Sequence, residues 1–153
     1  MDNIDRTILS ILQENADIPA RSIAETVNLS PSATERRIAR LKQEGLIEKV
    51  VAIVNPKAVG RTLTILVELE IQNEHRHTLD QFQRWLGAAP EVQSCWYVTG
   101  DADYVLLVAV RDLDEYNHFI DRLMEQQQAL VRKYKSLVAL KTVKHSLSLS
   151  VLP

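Results

Sequence analysis

Three arginines on one short stretch define the chemistry open to this chain. Arg36, Arg37 and Arg40 lie close together, with Ser32 and Ala33 one turn before them. A guanidinium presents a planar fork of donors that suits phosphate oxygens and the guanine edge. At about 100° per residue, Thr34, Ile38 and Leu41 fall in one narrow sector. Ser32, Arg36, Arg40 and Gln43 fall opposite, with Ala33 and Arg37 on the flank. One face packs, and the other is short, polar and arginine-bearing. That is the pattern of a helix that enters a DNA major groove, although an ordinary amphipathic surface helix shares it. The elements around it decide between the two.

Ser30 supplies an N-cap for this helix, Pro31 suits its first turn and Gly45 suits its C-terminal stop. Ile4, Ile8, Ile11 and Leu12 predict an earlier helix, with Asp5 placed favourably near its positive end. Asn15 to Pro19 breaks it, and a shorter helix follows over Ala20–Val27, burying Ile23, Ala24 and Val27. Asn28-Leu29 makes the turn into the arginine-bearing helix. Three short helices with a tight turn between the last two form a helix-turn-helix unit. Charge is distributed unevenly across it. In the third helix Arg36, Arg37, Arg40 and Lys42 oppose only Glu35 and Glu44. Elsewhere in Met1–Leu46, Asp2, Asp5, Glu14, Asp17 and Glu25 outnumber Arg6 and Arg21. Positive charge is thus gathered on the one helix whose outer face is free, which favours double-stranded DNA as the partner.

Other chemistries find less support. His75 and His77 could share one side of an extended segment, and His118 and His145 stand alone, with no Cys or carboxylate cluster at metal-ligand spacing. No metal and no cofactor are expected. Asp101 and Asp103 suit turn chemistry, and no nucleophile or second base accompanies them, so no catalytic residues are expected. The four glycines form no phosphate-binding loop. Trp85 and Trp96 read as core or interface anchors.

The 153 residues fit one domain or two small ones, at 46% hydrophobic and 25% charged. A net charge of −2 argues against a non-specific nucleic-acid coat protein. The lone Cys95 precludes an intramolecular disulfide, and the N-terminal residues resemble no export signal. No apolar run is long enough to span a bilayer, so a cytoplasmic location with no membrane partner is expected.

Beyond the helices, Ile47–Asn55 is β-branched and predicts a strand; Pro56 and Gly60 then punctuate the chain. Leu63–Ile71 alternates strictly. Thr78–Leu86 has helical spacing. Val92–Thr99 and Asp103–Val110 read as strands joined by Gly100-Asp101-Ala102. Leu113–Gln128 predicts a helix and Leu137–Leu149 a long strand. The order βαββαβ describes a ferredoxin-like sandwich with both helices on one side of the sheet. Apolar residues nevertheless occupy both faces: Tyr104, Leu106, Val108 and Val110 on one side of their strand, and Val105, Leu107 and Ala109 on the other. Leu137, Ala139 and Val143 alternate likewise with Val138 and Leu140. Two helices cover only one face, so the second predicts a two-fold dimer through the sheet, the alternative being that the N-terminal domain folds over it.

The ordered pieces IDRTILSILQ, AETVNLSP and RIARLKQEGLI resemble the opening of the Lrp/AsnC (feast/famine) family of transcription regulators. Val98-Thr99-Gly100-Asp101-Ala102-Asp103-Tyr104 is similar to that family's Gly-Asp-x-Asp-Tyr hairpin in its RAM (regulation of amino-acid metabolism) domain. The resemblance implies dimers that join into octamers, and an amino-acid effector bound near the hairpin at Thr99, Gly100, Asp101, Ala102 and Asp103. An aspartate there would accept from the ligand's ammonium, and the glycine turn's N–H groups would meet its carboxylate.

The expected fold is therefore α+β. A helix-turn-helix, winged-helix-like domain covers 1–47, a linker strand and turn 48–61, and a ferredoxin-like effector-binding and oligomerisation domain 62–153. The expected DNA-contacting set is Ser30, Ser32, Ala33, Arg36, Arg37 and Arg40. The expected function is sequence-specific transcriptional regulation in response to an amino acid or related metabolite. The rival is a small-molecule-binding or enzymatic ferredoxin-like protein with a helical docking module.

Overall fold

Asp2 and Asp5 open the first helix by satisfying each other's backbone. The Asp2 carboxylate accepts from the Asp5 N–H at 2.8 Å, and that of Asp5 from the Asp2 N–H at 3.0 Å. This starts α1 (Asn3–Glu14) in a computed structural model that describes residues 1–72, 76–127 and 130–151. After α2 (Ala20–Val27), Asn28 takes a left-handed conformation, φ 54°, which its short polar side chain tolerates. Ser30 then caps α3 (Pro31–Gln43), accepting from the Ala33 N–H at 3.2 Å. Gly45, at φ 75°, ends it as a residue without a Cβ should. Ile8, Ile23 and Leu41 are fully buried where the three helices meet, and Ile4, Ile38 and Ile47 pack around them.

The chain divides into two units. The helical unit comprises Met1–Ile53 together with the stretch from Val143, and the sheet unit is Val54–Thr142. The late stretch lies along α1: Gln13 brackets the Leu149 peptide, accepting its N–H at 2.7 Å and donating to its carbonyl at 3.1 Å. Arg6 donates to the Val151 carbonyl at 2.9 Å, and the Val151 side chain joins the helical core. Residues 143–151 thus pack with the helices, although 62–153 is the span expected for the second domain.

The sheet unit begins with a 3-10 turn at Pro56–Val59. It continues through β1 (Leu63–Ile71), α4 (Arg76–Ala88), β2 (Val92–Tyr97), β3 (Tyr104–Val110), α5 (Leu113–Gln127) and β4 (Val131–Val138). The strand order is β2-β3-β1-β4, each neighbour antiparallel, as a split βαβ sandwich requires. Ile65, Val67, Leu69, Leu106, Val108 and Val110 meet Phe82, Leu86, Phe119 and Leu123 of the two helices in one core. On the opposite face Leu66 stands in register with both Leu107 and Leu137, a leucine row across three strands. Leu66 and Leu137 are exposed there, as is Trp96 beside Val105.

Two expected strands are corrected. Ile47–Asn55 forms none: β-branched residues favour extended backbone, but a strand also needs a partner edge, and Val50, Val51, Ile53 and Val54 lie exposed. The last strand runs over Val131–Val138, not Leu137–Leu149. Lys133 and Lys135 mask its alternation in the sequence, whereas Leu140 and Val143, read as sheet residues, are exposed beyond it. The described residues of the helical unit contain no strand. His75 and Gln128 lie outside the described residues.

Candidate functional site

α3 is held by its inner face. Thr34 and Leu41 are fully buried, and the Thr34 hydroxyl donates to the Ser30 carbonyl at 3.2 Å. The outer face is left to Ser32, Ala33, Arg36, Arg37 and Arg40. Ser30 and Ser32 are exposed with their hydroxyls 3.2 Å apart, so the N-cap residue shares the rim of this face. Ala33, Arg36, Arg37 and Arg40 line an open depression of about 290 Å³. Its lining combines the short Ala33 with three guanidinium-bearing side chains, a charge suited to a phosphate-bearing or guanine-bearing surface.

The three arginines differ in what already holds them. Arg36 is exposed and has no ion-pair partner among the described residues. Arg37 donates to Asp2 at 2.8 Å and to Asp5 at 2.7 Å, and Arg40 donates to Asp5 at 2.7 Å. Asp5 is wholly buried, which by itself disfavours its charge. The Asp2 N–H and Arg37 outweigh that burial and hold its carboxyl below the usual range. The Asp5 backbone N–H, then Arg37, bring the Asp2 carboxyl down to about 2. Near neighbours in the sequence place Asp5 at the helix dipole but do not reveal this pairing, because contact between residues 32 and 35 positions apart is a tertiary fact.

The hairpin between β2 and β3 is fixed from within the sheet. Tyr104 is buried at its base, edge-on to Phe82 with centroids 5.3 Å apart. Asp103 latches the turn to β1: its N–H donates to the Leu69 carbonyl at 2.9 Å and its carboxylate accepts from the Ile71 N–H at 2.8 Å. Thr99, Gly100 and Asp101 are exposed, Ala102 is half-buried, and Gly100 adopts φ 126°. Asp101 and Ala102 line a second depression of about 180 Å³ with Glu68, Glu70, Lys133, Tyr134 and Lys135. Lys135 pairs with Glu68 and Lys133 with Glu70, each at 3.2 Å, and Arg132 also reaches Glu70. Lys133 foremost holds the Glu70 carboxyl below its ordinary value. Glu68 and Glu70 were legible only as the polar half of β1's alternation, and the lysines lie before the strand expected for them.

A helix-turn-helix whose second helix bears free and tethered arginines, joined to a sheet domain with a mixed-charge depression, defines a ligand-responsive DNA-binding regulator. Comparison with known proteins is consistent with that class. Residues 1–48 match the winged helix-turn-helix DNA-binding family and residues 64–149 the Lrp/AsnC ligand binding domain. An HTH-type transcriptional regulator of Haemophilus influenzae is 40% identical over 144 residues, 94% of this chain and 85% of the relative. An AsnC family transcriptional regulator from Agrobacterium tumefaciens superposes with a TM-score of 0.93 at 31% identity, covering 97% of this chain and 96% of that one. The Neisseria meningitidis transcriptional regulator NMB0573, solved as an L-Met complex, gives 0.90 at 30% identity over 97% and 96%. The chain belongs to the Lrp/AsnC family of transcriptional regulators, which bears out the regulator reading of the sequence. Among the described residues no helix is long and apolar enough to cross a membrane, and no three His, Cys, Asp or Glu cluster to hold a metal.

Proposed function

We propose that this regulator binds duplex DNA through the outer face of α3 and responds to a free amino acid held beside the Thr99–Asp103 hairpin. The depression walled by Arg36, Arg37 and Arg40 is the observation that carries the DNA reading. Ser32 and Ala33 approach base edges, Arg36 reaches a base or phosphate, and Ser30 lies at the rim. Arg37 and Arg40 contribute whatever donors Asp2 and Asp5 leave free. One such helix makes few phosphate contacts, so useful affinity requires two helices engaged on one duplex. A dimer supplies them. The leucine row on the uncovered sheet face is the surface through which a second copy pairs.

For the effector, the second depression offers carboxylates and ammonium groups together, as a zwitterion requires. Asp101 is the exposed hairpin acid that accepts from the ligand's ammonium, while Asp103 keeps the turn in place. The L-Met complex of the neisserial relative makes methionine the first ligand to test. The experiment is two-part. Duplexes selected from a random library by the wild-type protein are titrated with and without each of the twenty amino acids, and the ligand that shifts affinity is then measured by calorimetry. A protein that selects no duplex, or a DNA affinity indifferent to all twenty, refutes the corresponding half of the proposal.

A further inference from the structure

We propose that Asp5 is the positioning residue of the DNA interface: it holds Arg37 and Arg40 in place and withholds their charge from the phosphate backbone, leaving Arg36 as the unpaired guanidinium of α3. This rests on the reading that α3 meets DNA. The Asp5 side chain is entirely buried, and a buried carboxylate persists only with partners on its oxygens. One oxygen takes Arg37 at 2.7 Å; the other takes Arg40 at 2.7 Å and the Asp2 N–H at 3.0 Å. Arg37 and Arg40 stand three residues apart on α3 and so project side by side, which lets a single carboxylate from α1 fork between them. Asp2 adds a second acid on Arg37 at 2.8 Å. The burial of Asp5 at α1 and its bond to the α1 N-cap make this an anchor rather than a chance surface pair.

Two consequences follow for recognition. A phosphate approaching Arg37 or Arg40 meets a guanidinium whose charge is already matched, so non-specific attraction falls short of what three arginines would provide. The remaining N–H donors of each guanidinium are aimed from a fixed position, which favours discrimination among bases over attraction to any duplex. Asp5 thus trades electrostatic affinity for selectivity.

The test compares wild type with Asp5→Asn and Asp2→Asn on a duplex selected by the wild type and on a scrambled duplex of the same composition, from about 50 to 200 mM salt. Asp5→Asn leaves Asp2 on Arg37 and Glu44 3.8 Å from Arg40, so it should bind the scrambled duplex more tightly with a steeper slope of log K against log salt, by less than about one per arginine. The preference for the selected duplex should shrink in parallel, and Asp5→Glu should restore part of it. A merely structural aspartate predicts the opposite signature: both duplexes weakened by one factor at unchanged slope, which overturns the proposal. Should Asp5→Asn fail to fold, Asp2→Asn, whose side chain is half-exposed, carries the test with a smaller steepening expected; an unchanged slope there also overturns it. If the wild type selects no duplex, the DNA reading itself fails and takes this proposal with it. Selection followed by unaltered slopes rejects the role of Asp5 alone.

Discussion

Arg36, Arg37 and Arg40 look equivalent in the sequence, yet their surroundings predict different mutants. Arg36→Ala should lower affinity for a selected duplex by about 1–3 kcal/mol if it contacts a base, with no change in thermal stability. Arg37→Ala removes a donor from a fully buried carboxylate, so it should also destabilise the helical unit, by roughly 1–3 kcal/mol. Parallel DNA titration and thermal denaturation separate the two. If both variants keep wild-type stability, the Asp5 network contributes nothing. Acid should act on the same groups. Asp2 falls from an ordinary 3.8 to about 2, through the Asp5 N–H and then Arg37. In the sheet unit Glu115 falls from 4.5 to about 2, through the Arg111 N–H and then Arg61. A carboxyl lowered in the folded state stabilises fully above its unfolded pKa and loses that contribution as pH drops through the folded one. Both contributions should therefore be intact at pH 6 and fade between roughly pH 4.5 and 2. Melting curves of Glu115→Gln should be less sensitive to acid over that window than those of wild type.

At the scale of elements, patterns that depend on near neighbours were legible and those that depend on a partner were not. Ser30, Pro31 and Gly45 marked both ends of α3, because caps act within one turn of chain. The alternation of Leu63–Ile71 marks β1 for the same reason, and the helix expected from Leu113 is α5, which buries Tyr116, Phe119, Ile120 and Leu123. The linker was misread because Val50, Val51 and Ile53 have strand-forming side chains but no strand beside them. β4 was placed too late because Arg132, Lys133 and Lys135 interrupt its apolar pattern while pairing with Glu70 and Glu68 of β1. At the hairpin, local chemistry marks a turn at Gly100-Asp101-Ala102 and only the family resemblance makes it an expected effector site, whereas the Asp103 latch onto Ile71 is a long-range contact that no spacing reveals. The latch predicts a division of labour in the hairpin. Asp101→Ala should weaken effector binding without altering stability, while Asp103→Ala should loosen the hairpin and lower stability as well. Gly100→Val would meet no neighbouring atom, but its φ of 126° strains any side-chain-bearing residue, so it too should disturb the turn. Calorimetry alongside thermal melts checks all three, and equal binding by all three folded variants would place the effector elsewhere.

At the scale of the molecule, the proposed dimer rests on the exposed sheet face, through which two α3 helices would be brought to one duplex. Leu66 lies between Leu107 and Leu137 in register, with Trp96 and Val105 adjoining, and Leu66, Leu137 and Trp96 are exposed in the single chain. Adjacent leucines on a flat face release more water when covered together than when scattered, at about 25 cal/mol per Å² of apolar area. The polar end of the same face is already neutralised by the Glu68–Lys135 and Glu70–Lys133 pairs, so a second copy meets little unpaired charge there. A two-fold axis near the row would set leucine against leucine, the self-complementary arrangement that a closed dimer needs. Leu107→Glu puts a carboxylate into that contact, where pairing would bury it without a partner. The variant should therefore be monomeric or insoluble by light scattering. A soluble monomer should keep its folded sheet, because Leu107 points away from the helix-covered core, and should lose most of its affinity for a two-half-site duplex while retaining weak binding to a single half-site. A Leu107→Glu protein that remains dimeric would show that the copies meet through some other surface.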